Sequence, residues 1–323
     1  MNPERKNIYI ASCHGEGGIY HYHMLPDGKL NAVSFTPMDR PMYMVISGKK
    51  MYILLKDPWD NGESALVTYD LDPQGRLENP SGLISTQGKE ACHILVDGED
   101  IYCANYSSGS VIKMPDMLVR HHGNGPNPDR QEMAHPHFVG LTPDGDYVCV
   151  ADLGTDSIYL YDREMNLHSR FRCPQGHGVR HLAFSRDGKY LFAVNELVSG
   201  VSVYAYHAGE LEQLDTQSCV PANFFGETYA GAIRIHGNEV YVSNRGHDSI
   251  AIMKYEDETL YLESWFPCGG SYPRDFQFAG EFLVSANQLG DSVTVFDLQK
   301  DHHEVARLEM KAPLCVCVKE NRR

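Results

Sequence analysis

The sequence predicts an all-β fold, a seven-bladed β-propeller that the N- and C-terminal strands close. Three observations predict it: one phrase recurs along the chain, its copies are spaced as propeller blades are, and the two chain ends can share a blade. Short strands rich in Val, Ile, Tyr and Phe alternate with Asp-Gly and Gly-Asn turns, and no segment sustains a helical period. We therefore expect a single domain over residues 1–323.

The repeated phrase consists of a polar lead residue, an apolar strand, a turn, a second apolar strand and a closing Asn or Asp. It is clearest over residues 137–152, 180–195 and 274–287. The closing residues of five copies lie 47, 43, 49 and 43 residues apart, the length of a four-stranded blade; they are Asn105, Asp152, Asn195, Asn244 and Asn287. Because Asn and Asp readily bond nearby backbone at turns, we expect these anchors to be structural.

Two further blades complete the ring. A degenerate copy of the phrase over residues 40–56 supplies the sixth blade. The seventh is composite: residues 312–318 supply an inner strand, and residues 7–12 and 18–22 supply others. Closure of this kind removes the exposed sheet edges that promote aggregation.

Composition narrows the functions that the chain can have. With 42% hydrophobic and 10% aromatic residues it can bury a large core. A net charge of −15 without a basic stripe argues against a nucleic-acid partner. No apolar segment at the start suits a signal peptide or a membrane span, and the nine cysteines form no CxxC pair. We expect a cytoplasmic protein with reduced thiols, no membrane partner, and a monomeric or weakly homo-oligomeric state.

The repeat register predicts where polar side chains converge. Lead residues begin the strands that line a propeller channel, so equivalent positions form a ring, consisting of Cys92, His137, Arg180, Gly231 and Arg274. A second ring follows the second strands, with Tyr106, Leu153, Glu196, Arg245 and Gln288. If the register is right, Glu196 lies near Arg180 in the same blade. An acid, a histidine and two arginines then face one pocket.

That set suits hydrolysis of a lactone. His137 or Glu196 is a candidate general base for water, and the sequence leaves open which of them acts. Arg180 and Arg274 are candidate donors to the tetrahedral oxyanion or to an anionic substituent of the substrate. Candidate substrate-binding residues flank these positions and are His93, His181, Arg245 and His247. His93 and His181 fit equally well as polar supports for the catalytic side chains.

No cofactor is expected. The His21–His23 pair and the His121–His122 pair come without further ligands at zinc-site spacing, and no nucleophile motif or glycine-rich phosphate loop is present.

Several segments resemble the propeller-type lactonase family, which includes the propeller form of 6-phosphogluconolactonase and a fungal carboxymuconate cycloisomerase. The resemblance covers nearly the whole chain, and its sharpest pieces are residues 122–131, 135–137, 152–158, 180–182, 195–196, 244–250, 273–275 and 286–288. The functional residues proposed for that family are a histidine, two arginines and a glutamate. They match His137, Arg180, Arg274 and Glu196. Departures at Ser12-Cys13-His14 and at Lys56 concern substrate choice.

The resemblance implies hydrolysis of 6-phosphogluconolactone or a related aldonolactone, a small anionic or polar substrate, within carbohydrate metabolism and the pentose phosphate pathway. Two alternatives remain open at this stage. One is a cofactor-free lactonising isomerase that acts on a muconate-type dicarboxylate, which needs the same acid/base and anion-binding groups. The other is a non-catalytic propeller that binds partners through its loops.

Overall fold

The computed structural model describes residues 6–319. They form two compact units, one running to Ser85 and resuming at Pro267, the other comprising Thr86–Phe266. Nearly all regular structure is antiparallel β-sheet, with 3-10 turns at Tyr106–Ser108 and Glu196–Val198. No helix in the described part of the chain has the length and apolar character that crossing a membrane requires.

The strands follow one another in chain order with short turns. The first group comprises β1 (Lys6–Ser12), β2 (Gly18–Met24), β3 (Leu30–Pro37), β4 (Pro41–Ser47), β5 (Lys50–Leu55), β6 (Ala65–Leu71), β7 (Leu77–Glu78) and β8 (Ile84–Ser85). The second unit comprises β9 (Ala91–Asp97), β10 (Asp100–Asn105), β11 (Ser110–Lys113), β12 (Met117–Arg120), β13 (Pro136–Leu141), β14 (Val148–Asp152), β15 (Ser157–Tyr161), β16 (Leu167–Arg172), β17 (Val179–Phe184), β18 (Tyr190–Asn195), β19 (Gly200–His207), β20 (Glu210–Ser218), β21 (Tyr229–His236), β22 (Glu239–Arg245), β23 (Ser249–Glu256) and β24 (Thr259–Pro267). The last group comprises β25 (Pro273–Ala279), β26 (Phe282–Asn287), β27 (Ser292–Asp297), β28 (His303–Glu309) and β29 (Pro313–Lys319).

The second unit contains four four-stranded meanders, β9–β12, β13–β16, β17–β20 and β21–β24. Their first strands are neighbours, with β13 beside β9 and β17, and β17 beside β21. Apolar side chains fill the space between consecutive sheets, as where Val203 and Val242 share one buried cluster and Ala151 and Leu182 another. Burial on both faces explains the continuous Val- and Ile-rich strands of the repeat.

The first unit contains the sheets β4–β7 and β25–β28, and a sheet in which β29 pairs with β1, followed by β2 and β3. The strand β8 adds to the first of these by pairing with β6. In the composite sheet Ile10 lies opposite Val316 on β29 and opposite Tyr20 on β2. The predicted closure of one blade by both ends of the chain is confirmed.

Four of the five anchors at the ends of second strands bond backbone, as the sequence predicts, whereas Asn195 donates to Ser202 Oγ. Asn105 donates to the Thr86 carbonyl at 3.0 Å, and Asn244 donates to the Cys219 carbonyl at 2.8 Å. Each of these bonds ties a second strand to the segment that precedes the first strand of its own sheet. The prediction of one domain over residues 1–323 stays a prediction.

Candidate active site

The lead residue of each repeat occupies a β-bulge. In the β13/β14 pair the register passes from Pro136 opposite Asp152 to Phe138 opposite Ala151, so His137 has no counterpart. Arg180 is skipped in the same way between β17 and β18, and Arg274 between β25 and β26. A bulge bends its strand and redirects the extra side chain. The repeat therefore places the predicted residues in one recurring backbone geometry.

Glu196 is the centre of a buried ionic cluster in the second unit. Its Oε2 lies 2.8 Å from Arg180 Nε and 2.8 Å from Arg245 Nη2, and Arg130 Nη2 donates to its Oε1. The Glu196 side chain is 1% exposed. The sequence prediction that Glu196 lies near Arg180 is confirmed, and Arg245 joins the same carboxylate.

The charges of this cluster do not cancel. Burial favours the neutral acid, yet Arg245, Arg180 and Arg130 outweigh it and hold the pKa of Glu196 well below its usual value of 4.5. Three guanidinium groups and one carboxylate sum to a net charge of +2. The cluster is an anion-attracting centre inside a protein whose overall charge is −15.

Arg180 and Arg245 also hold the start of β21. Arg245 donates to the carbonyls of Tyr229, at 3.2 Å, and Ala230, at 2.9 Å. Arg180 Nη1 donates to the Gly231 carbonyl at 2.8 Å. These bonds fix both guanidinium groups in orientation, so the cluster is preorganised.

Three histidines lie beside the cluster in an edge-to-face row. The ring centroids of His137 and His181 are 5.2 Å apart, and those of His181 and His93 are 5.3 Å apart. His137 also meets the edge of Tyr106 at 5.4 Å, and its charge, when present, lowers the Glu196 pKa. His181 Nε2 lies 3.3 Å from Arg180 Nη1, and His137, next to His181, is near enough to Glu196 for its charge to act on that carboxylate.

His93 and His181 are neutral supports at physiological pH. Burial, followed by Arg234 and Arg180, lowers the pKa of His93 to about 3. Burial and Arg180 hold the pKa of His181 well below 6.5. Of the two interpretations left open by the sequence, these environments favour polar supports.

The contacts that the structure describes for His247 and Arg274 are with residues outside the Glu196 cluster. His247 bonds Ser249 Oγ at 2.6 Å and meets the edges of Phe224 and Trp265, and these contacts do not include the Glu196 cluster. Arg274 lies in the first unit, where its charge opposes the effect of burial on Cys13, whose pKa is raised to about 11. The convergence of Arg274 with His137 and Arg180 stays a prediction.

Sequence reasoning missed Arg130. This arginine lies in the connection between β12 and β13, outside the repeated phrase, and contacts both Glu196 and the ring of Tyr229. The one available signal was the resemblance of residues 122–131 to a family segment. A group of three or more His, Cys, Asp or Glu side chains arranged to hold a metal ion is absent from the described residues.

Comparison with known proteins supports the propeller fold. The model of the family "Lactonase, 7-bladed beta-propeller" matches residues 7–320, which confirms the fold predicted from the repeat. The chain is 32% identical to the uncharacterized protein SA1737 of Staphylococcus aureus (strain N315), over 91% of this chain and 93% of that one. A Lactobacillus plantarum structure superposes with a TM-score of 0.88 at 27% identity, covering 98% and 100% of the two chains. The periplasmic gluconolactonase PpgL of Pseudomonas aeruginosa superposes with a TM-score of 0.86 at 25% identity, covering 97% and 99%.

Proposed function

Because the chain belongs to the seven-bladed β-propeller lactonase family, we propose that it hydrolyses a sugar-derived lactone, an aldonolactone such as 6-phosphogluconolactone or gluconolactone, without a cofactor. The observation that carries the proposal is the buried cluster of Glu196 with three arginines, set beside His137. The similar Pseudomonas aeruginosa protein named as a gluconolactonase supports this substrate class.

The arginines supply the electrostatic part of the reaction. Attack on a lactone carbonyl places a negative charge on its oxygen, and fixed donors at that point lower the barrier most when they need no reorganisation. Arg180 is held by Glu196 on one side and by the Gly231 carbonyl on the other. We assign the oxyanion to the positive field of this cluster, with Arg180 as its donor.

His137, rather than Glu196, is the better candidate for the general base. A carboxylate whose pKa is held well below 4.5 has little tendency to accept a proton from water near neutral pH. Glu196 already pairs with three arginines, which suits a residue that positions them. His137 carries an imidazole, the side chain that most often serves as a general acid or base.

The proposed reaction proceeds in two steps. The imidazole of His137 takes a proton from water as the water oxygen forms a bond to the lactone carbonyl carbon, giving a tetrahedral oxyanion near Arg180. Collapse of this intermediate breaks the bond between that carbon and the ring oxygen. The departing oxygen receives the proton from the His137 imidazolium, and the product is the open-chain hydroxy acid.

Acid release from fresh lactone, followed with a pH indicator, tests the proposal. We expect wild-type protein to exceed the spontaneous rate, and His137→Asn and Arg180→Ala to lower kcat by about 100-fold or more. His137→Asn does so with little change in Tm, whereas Arg180→Ala also lowers Tm because it removes a buried partner of Glu196. His207→Asn, a change at an exposed histidine of the same unit, is the matched control and leaves kcat unchanged.

Failure to accelerate any phosphorylated or plain aldonolactone contradicts the proposed function. If a muconate-type dicarboxylic acid is then turned over, the alternative of a lactonising isomerase takes its place. If both substrate classes are inert and His137→Asn has no effect on binding of a stoichiometric protein partner, a scaffold role is the remaining interpretation.

A further inference from the structure

We propose that Arg130 makes the site selective for lactones that carry an anionic substituent, a phosphate or a carboxylate, away from the lactone carbonyl. This inference rests on the proposed lactonase function and assigns a substrate contact to a residue outside the repeated phrase. It is carried by the position, fixation and charge of Arg130 within the Glu196 cluster.

Arg130 is the arginine of the cluster that solvent reaches. Its side chain is 35% exposed, whereas those of Arg180 and Arg245 are each 3% exposed. All three contact the same buried carboxylate. A substrate that approaches from solvent therefore meets Arg130 before it meets the other two, and an outward-facing substituent is the part of the substrate that stays next to it.

The loop that carries Arg130 is fixed before any ligand binds. The Asn127 side chain accepts bonds from the backbone N–H groups of Asp129 and Arg130, at 3.1 and 3.2 Å. Gln131 donates from its backbone to the Asn127 carbonyl and from its side chain to the Leu153 carbonyl, each at 2.8 Å. An ordered loop avoids the entropic cost of immobilising a flexible arginine on binding.

Two aromatic side chains lie beside the guanidinium group of Arg130. Its central carbon lies 5.8 Å from the ring centroid of Tyr229. The Tyr106 side chain is near enough to help Glu196 raise the pKa of Arg130. A planar guanidinium in fixed orientation suits the paired oxygens of a phosphate or carboxylate, which a lysine matches less well.

Charge favours an anion at this position. Glu196 offsets one of the three guanidinium charges, which leaves a net charge of +2. Glu132, two residues from Arg130 along the chain, bonds His135 Nε2 at 3.1 Å. An uncharged lactone develops one negative charge, at its carbonyl oxygen, in the transition state. A phosphate or carboxylate substituent supplies the further negative charge that matches the cluster.

Steady-state hydrolysis of 6-phosphogluconolactone and of gluconolactone by Arg130→Gln tests the inference. We expect kcat/KM for the phosphorylated lactone to fall about 10- to 100-fold further than kcat/KM for the plain lactone, mainly through a rise in KM, because only the phosphorylated lactone loses a partner for its anionic group. Arg130→Lys, which keeps the charge without the planar fork, gives an intermediate rise in KM. Arg163→Gln, at an arginine 26% exposed and paired with Asp97 and Asp100, is the matched control and leaves both reactions unchanged.

A lactone with a carboxylate in place of the phosphate, the 1,4-lactone of glucaric acid, distinguishes the two anions: the one whose hydrolysis depends more strongly on Arg130 is the group that the site selects. Equal losses on the phosphorylated, carboxylated and plain lactones overturn the inference and leave the lactonase function standing.

If wild type hydrolyses none of the lactones, the proposed function fails. Calorimetric binding of 6-phosphogluconate and gluconate then decides: loss of the phosphate-dependent affinity in Arg130→Gln supports the inference, and unchanged affinity overturns it.

Discussion

Glu196 is a buried carboxylate whose partners are all cations. Removal of a charge from water is costly, and here contacts with Arg130, Arg180 and Arg245 offset that cost. Without the carboxylate, the three guanidinium groups would repel one another in a poorly solvated space. The same residue therefore stabilises the fold and holds the arginines in place for an anion.

The pH dependence of stability reports on this carboxylate. Since its pKa is lower in the folded protein than in the unfolded chain, Glu196 stabilises the fold fully above about pH 4.5, and this contribution is lost as pH falls through the depressed folded value. We expect Glu196→Gln to lower the free energy of unfolding by about 3–5 kcal/mol at pH 7. The difference from wild type shrinks below pH 4.5. Urea unfolding of both proteins from pH 3.5 to 7 measures it, and a difference that does not vary with pH contradicts the prediction.

At the scale of the element, the 3-10 turn Glu196–Val198 places the carboxylate. The Glu196 backbone N–H donates to the Gly178 carbonyl at 2.8 Å, just before β17. Gly178 has φ of +65°, and a Cβ there would lie 2.6 Å from Leu197 Cγ. This glycine is needed both for its backbone conformation and for the space next to the turn.

Gly178→Ala tests how the turn controls the site. We expect a loss of about 2–4 kcal/mol in stability, from the left-handed backbone and from the contact with Leu197, together with reduced lactone turnover as Glu196 is displaced. Gly145→Ala is the matched control, since Gly145 has φ of +77° and open space at its Cβ. That variant loses about 1 kcal/mol and keeps full activity. Thermal unfolding measures the stability of both variants, and the pH-indicator assay measures their lactone hydrolysis. Equal effects of the two substitutions contradict the prediction.

The element scale also explains what the sequence could predict of the site. His137, Arg180 and Arg274 lead copies of one repeat, so their shared bulge follows from alignment alone. Arg130 belongs to a connection of irregular length that has no counterpart in the other repeats, and its contact with Glu196 depends on how that loop folds. The position of His247 after a strand predicts that it lies at the site. Its described contacts are local, with Ser249 and neighbouring aromatic rings, and its reach to the substrate stays a prediction.

At the scale of the whole molecule, the fold was predictable because blade length and strand alternation repeat throughout the chain. The individual repeats are weak, and it is their regular spacing that carries the information. All nine cysteines are unbridged in the structure, and the reduced state expected from the sequence stays a prediction. Seven of them are buried, and Cys13 and Cys317 are partly exposed.

Thiol labelling checks this distribution. We expect an aromatic disulfide reagent at pH 8 to modify at most two thiols in the native protein and nine in denaturant. Cys13 reacts slowly, since its pKa, raised to about 11 chiefly by burial, leaves little thiolate at that pH. Cys317→Ser then removes most of the fast native reaction. Rapid modification of more than two native thiols contradicts the burial assigned here.

The pairing of β29 with β1 makes the composite sheet depend on both ends of the chain. Val316 packs in a buried cluster with Ile8 and Ile10, and its N–H donates to Asp275 Oδ2 at 3.0 Å. A chain that stops at Ala312 loses these contacts and exposes the edge of β1 as an unpaired strand. Each apolar side chain lost costs about 1.5–3 kcal/mol, and a domain has only about 5–15 kcal/mol in total.

We therefore expect the chain shortened to Ala312 to unfold at a much lower temperature or to aggregate through the exposed strand. A chain shortened to Lys319, which retains all of β29, is the matched control and behaves as wild type. Size-exclusion chromatography and thermal unfolding compare the three proteins. Val316→Asp places a charge in the same cluster without shortening the chain, and it separates loss of packing from loss of the strand pairing. A monomer ending at Ala312 with wild-type Tm would show that the composite sheet is dispensable, and the stability of the fold would then reside in the other six sheets.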